Sequence, residues 1–120
     1  MSDLRPQPVK IELGGKEYGL LFSLNAIDEI QDSFDIPISQ LADLMKDERK
    51  VFKVLKSLLA ILINEAIDDA ESGDPHVDEK FIGRKIQVAD IANLKSKVFV
   101  AFTAGIPADE EEEDPNAKSE

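Results

Sequence analysis

The chain has no cysteine and no tryptophan, and only one histidine and one tyrosine among its 120 residues. Without cysteine there is neither a disulfide framework nor a thiolate zinc site, which suits a reducing compartment. The opening MSDLRPQP has no apolar signal core, so no export is expected. The longest unbroken apolar run, Leu58–Ile63, is far too short to span a bilayer, so no membrane partner is expected. No G-x-x-x-x-G-K-[ST] phosphate loop is present, and no Ser, His and Asp arrangement with supporting motifs. Neither a cofactor nor enzyme activity is therefore expected.

Positive charge is also scarce. Fourteen bases face 25 acids, for a net charge of −11. Seven of those acids and a single lysine lie in residues 109–120, so that segment carries −6 and the other 108 residues −5. A nucleic-acid partner needs basic patches to neutralise phosphates, and none is evident. The densest basic stretch, Lys46–Lys56, holds five bases but also Asp47 and Glu48. Its bases mostly share one helix face, which reads as a solvated face.

Two constellations invite a metal and fail. His76 has Asp74 and Asp78 nearby, but it sits in a turn beside Pro75. Asp68–Glu79 resembles a calcium loop with Asp68, Ser72, Gly73 and Glu79 at positions 1, 5, 6 and 12. Its third position is Ala70, which has no side-chain oxygen, and Pro75 stands where paired loops bridge through an N–H. An acidic turn between helices is the better reading, and no metal site is expected.

What is present is periodicity. Val9, Ile11 and Leu13 alternate with Lys10 and Glu12, as in a half-buried strand. Gly14-Gly15 suits a two-residue hairpin turn with positive φ at both positions. That register sets Ile11 against Tyr18 and Val9 against Leu20, giving one apolar face. It also sets Glu12 against Glu17 on the solvent side. Phe22 extends the apolar face, and Leu21 points the other way.

Helices follow. Ser23 or Asn25 caps the first, whose apolar set is Leu24, Ile27, Ile30 and Phe34. Asp35-Ile36-Pro37 breaks it. A short second helix, capped by Ser39, turns Leu41, Leu44 and Met45 inward. The third and longest spans about Glu48 to Glu71, with Lys53, Lys56, Ser57, Asn64 and Asp68 in a narrow polar stripe. Its apolar sector covers more than half the circumference, so it lies at the centre of a bundle or against a partner. Asp78 caps a fourth helix through Ile86, and a fifth runs from about Ala89 to Ala104 with Ile91, Leu94, Val98 and Phe102 on one face. Gly105 and Pro107 supply the stop.

The expected architecture is mainly α with an N-terminal β-hairpin: one small helical domain of about five helices. Residues 1–8 form a flexible lead, 9–108 the folded domain, and 109–120 a disordered acidic tail. Leu21, Phe52, Ile63 and Val100 are apolar residues that one small core does not obviously cover. They are the candidate partner-binding residues, and Gly14 and Gly15 the structural turn.

The opening KIELGGKEYGLLFSL leads into NAIDEIQDSFDIPISQLADLM, then a long apolar helix, short helices and an acidic tail. This order resembles the tail assembly chaperones of long-tailed bacteriophages and prophages, whose opening is a strand, a Gly-Gly or Gly-Lys turn, a second strand ending in Leu or Phe, and a helix rich in Glu and Ile. The matching positions here are Ile11–Phe22 and Leu24–Phe34. The likeness is in sequence over the first half and in architecture over the rest. It implies a helper in the cytoplasm of the bacterial host that holds the tape measure protein soluble while tail tube subunits assemble, and that is absent from the mature virion. It also implies possible partners in the tail tube protein and a longer frameshifted form, with self-association through hairpin edges. The alternative is an acidic decoy that mimics nucleic acid. The concentration of charge in one tail weighs against it, because a mimic needs charges on a rigid surface.

Overall fold

A computed structural model describes residues 8–105. The expected acidic tail and most of the expected N-terminal lead lie outside the described residues. Strands β1 (Val9–Leu13) and β2 (Lys16–Leu20) form an antiparallel hairpin, followed by α1 (Leu24–Phe34), α2 (Leu41–Met45), α3 (Val51–Ala70), α4 (Glu79–Lys85) and α5 (Ile91–Gly105). Short 3₁₀ turns, Ile38–Gln40 and Val88–Asp90, lead into α2 and α5. The chain is mainly helical with an N-terminal hairpin, as the periodicity predicts. No helix among the described residues is long and apolar enough to cross a membrane.

The hairpin has the two-residue register: Val9 faces Leu20, Ile11 faces Tyr18, and Glu12 faces Glu17. Gly14 (φ 59°) and Gly15 (φ 83°) both take left-handed backbone, the conformation of a turn whose twist matches the strands. The Glu12–Glu17 repulsion is eased by Lys10, whose Nζ lies 3.4 Å from Glu17 Oε1. The apolar face is buried at Ile11, Leu13, Leu20 and Phe22. It meets three helices. Packing against α3 covers β2, Tyr18 stands edge-on to Phe81 of α4, and Phe22 stands edge-on to Phe102 of α5 with centroids 5.2 Å apart.

Helix α3 is the axis of the fold. The six consecutive residues Leu58–Ile63 are all buried, so the helix is covered in every direction along its middle. Strand β2 and helices α1, α2 and α4 all pack on it. Gly19 permits the close approach of β2, because a Cβ there would lie 3.3 Å from the Cβ of Ala66. Just beyond β2, the Leu21 N–H donates to the Leu62 carbonyl at 3.2 Å. Leu21 stands outside the cluster that holds Leu20 and Phe22, yet it too is buried.

Local signals hold at the starts of α1 and α4. Ser23 accepts from the Ala26 N–H and Asp78 from the Phe81 N–H, each capping its helix. Asp35 closes α1 in the left-handed region, and the Gln31 side chain accepts the Ile38 N–H across the break. Three expectations are corrected. Ser39 lies inside the 3₁₀ turn after Pro37 and caps nothing. Leu24 is exposed, and Ala26 takes its place in the core of α1. Helix α3 starts at Val51, because Asp47 accepts the Arg49 N–H and holds residues 48–50 in a turn.

Valine at both Gly14 and Gly15 should destabilise the domain by roughly 2–4 kcal/mol, since each left-handed β-branched residue costs about 1–2 kcal/mol. Gly14 has a further obstacle, because a Cβ there would lie 2.8 Å from Cδ of Lys85. Chemical denaturation measures this, and an unchanged midpoint would contradict the turn assignment.

Candidate functional site

The polar constellations do not assemble into a reactive centre. His76 Nε2 lies 2.8 Å from Asp68 Oδ1, and both side chains are more than half exposed. Glu79 is engaged by the Ser57 hydroxyl at 2.6 Å, so Asp68 and Glu79 do not converge as ligands of one calcium loop. Among the described residues, no group of three or more His, Cys, Asp or Glu could hold a metal ion, and no polar or charged residue is buried. The polar stripe of α3 has a structural role at Asn64. Its Oδ1 accepts the Val77 N–H at 2.8 Å and its Nδ2 donates to the Val77 carbonyl at 2.9 Å, fastening the connection between α3 and α4.

The four candidate contact residues divide. Leu21 is 3% exposed and Ile63 fully buried, so neither is available to a partner in the folded chain. Leu21 is buried outside the core cluster, beside its backbone bond to Leu62. Ile63 lies on nearly the same stripe of α3 as Phe52, eleven residues and about three turns away, but in the stretch that other elements surround. Phe52 (48%) and Val100 (52%) are exposed. They do not form one patch with the start of α5. Val100 is nine residues from Ile91, which places it on the opposite side of that helix.

Phe52 opens onto a groove of about 190 Å³. Leu55 and Lys56 of α3, Gly83 of α4, and Ile86, Val88 and Ile91 line it. Val88 is 78% exposed, a large apolar side chain on the groove's outer lip. The missing side chain of Gly83 leaves room for Lys56, whose Cδ would lie 3.1 Å from a Cβ there. A second opening of about 780 Å³ lies between the hairpin tip and the start of α5. Its walls mix Lys10, Lys85 and Lys97 with Glu12, Glu17 and Asp90, so it presents no single chemistry. The smaller groove does, being apolar apart from Lys56 and Gln87.

Lys56 is the one charged residue that lines the smaller groove. Arg49 and Lys53 are near it in sequence, and Arg84 follows Gly83 on α4. Among the described residues, these four bases make no ion pair. Helix α3 has no side-chain cap and no acid in its first turn, so the bases there oppose the helix dipole. Sequence reasoning found Phe52 but missed Val88 and Gly83, because the groove joins residues more than thirty positions apart through the docking of α4.

No family model, no curated protein and no solved structure matches this chain.

The burial pattern separates two aspartate substitutions. Phe52→Asp should cost about 1 kcal/mol or less, as is usual for a half-exposed position. Ile63→Asp should cost about 4 kcal/mol or more, because it places a carboxylate in a dry core. Thermal unfolding of both variants checks this, and equal losses would contradict the placement of α3.

Proposed function

We propose that this protein is a tail assembly chaperone of a long-tailed phage or prophage, acting in the host cytoplasm to hold a tape measure protein soluble until tube subunits enclose it. The observation that carries the reading is the apolar groove at Phe52 and Val88. A chaperone for a long helical client needs an accessible apolar surface that does not belong to its own core. The residues of Ile11–Phe34 support it from the other side, through their likeness to the opening of that family. The hairpin and helix they encode close around α3 and leave its first turn open. Contacts with the tube protein, a longer frameshifted form and further copies of the chain belong to the same reading. The hairpin's outer edges are the natural sites for self-association.

The client contact is apolar burial, so it persists when salt screens charge. Co-expression with the cognate tape measure protein, followed by solubility and pull-down at low and high salt, tests this. The expected result is a soluble partner and a complex at high salt. A partner that stays insoluble, with no complex at either salt, would overturn the reading. A complex confined to low salt would favour an acidic decoy. Phe52→Asp should weaken capture about tenfold or more, a loss of about 1.4 kcal/mol. A folded variant that solubilises the partner fully would move the site off this face.

A further inference from the structure

Leu24 is the most exposed large apolar side chain among the described residues, at 81%. It opens α1, directly behind the Ser23 cap. Asp28, also exposed, follows one turn later and so shares its face of the helix. We propose that Leu24 of one copy of this chain seats in the groove at Phe52 of a second copy, with Asp28 meeting Lys56 there. The contact rests on the geometry of the groove and not on which client the groove takes.

Size and charge both fit. The groove measures about 190 Å³. A dry cavity of about 150 Å³ holds a benzene-sized group, so a groove of this size takes one leucine side chain. Phe52 and Lys56 stand one turn apart on α3, the spacing of Leu24 and Asp28 on α1. Laying the two helices side by side in the same direction sets apolar against apolar and carboxylate against ammonium. Lys56 is half-buried in the groove wall and Asp28 is exposed, and neither makes an ion pair among the described residues.

Placement excludes the same contact within one chain. The Ser23 hydroxyl donates to Glu65, thirteen residues beyond Phe52 on α3. At about 1.5 Å per residue, Leu24 and the groove lie roughly 20 Å apart, towards opposite ends of that helix. Each copy therefore offers a knob at one end and a groove at the other. Such a contact is heterologous, so a copy that fills its neighbour's groove still has its own groove open. A groove filled by Leu24 is closed to a client, and the two contacts exclude each other.

Complementation between variants of the full chain tests this, read by sedimentation equilibrium from roughly 10 µM to 1 mM. The unaltered chain should gain mass with concentration. Leu24→Asp removes the knob and keeps the groove, while Phe52→Asp spoils the groove and keeps the knob. Each alone should associate about tenfold more weakly or worse. Their equimolar mixture should form a one-to-one dimer and stop there, because only one knob and one intact groove meet. Lys56→Glu should weaken association, and adding Asp28→Lys in the same chain should restore it. Val88→Asp, at the most exposed residue of the groove wall, is a second groove variant should Phe52→Asp unfold. A chain that stays monomeric throughout would overturn the proposal. So would association undiminished by Leu24→Asp, or a mixture that yields no dimer. No client is present, so the result is independent of the chaperone reading.

Discussion

Burial of the middle of α3 is the constraint on which the rest depends. Ten of its twenty residues are buried, including every position from Leu58 to Ile63. A helix covered on all sides cannot exist without its neighbours, and here each neighbour is too small to stand alone. The hairpin is two strands, and an isolated two-stranded hairpin is marginal in water. Helices α2 and α4 have five and seven residues, below the length at which helices hold by themselves. The apolar surface of α3 supplies what each of them lacks. Close approach at Gly19 and Ala66 and the Leu21–Leu62 backbone bond then fix how the hairpin sits on that surface.

The same constraint explains why an apolar groove is left open at one end. The middle of α3 is enclosed by β2, α1, α2 and α4, while the first turn carries Phe52 into solvent. Where α4 turns into the 3₁₀ segment Val88–Asp90, the chain leaves a gap beside that turn, and Gly83 keeps it open. Bases gather at this end. Acids gather on α1, at Asp28, Glu29 and Asp32, and around the connection between α3 and α4, at Asp68, Glu71 and Asp74. The net charge of the whole chain thus hides a polarity. A partner meeting the Phe52 end encounters an apolar groove with Lys56 in its wall.

Much of this was legible in the sequence, and the parts that were not share a cause. Gly14-Gly15 with alternating flanks specified the hairpin register, since a one-residue slip would have mixed its faces. The broad apolar sector of α3 announced a central helix. Ser23 and Asp78 announced their caps. What local pattern could not decide was which second element covers a given side chain. Leu21 alternates outward and yet is buried. Ile63 shares a stripe with exposed Phe52 and yet is enclosed. Leu24 fits the helical period and yet lies in solvent. Asn64 looks like part of a solvated stripe, but its amide matches both polar groups of the Val77 backbone. The groove itself unites positions 52, 83 and 88, and no window of sequence contains all three.

The central claim is that α3 organises the fold while its first turn and the neighbouring 83–91 segment form the groove proposed for the client. Native-state hydrogen exchange, on the free protein and on its complex with a tape measure protein, tests both halves in one measurement. In the free protein, the amides of Leu58–Ile63 should exchange only through global unfolding, and more slowly than those of α2 and α4. In the complex, added protection should appear at Ile82–Ile91 and at the first turn of α3. Fast exchange in the middle of α3, or added protection confined to the far end of the molecule around residues 71–78, would contradict the account.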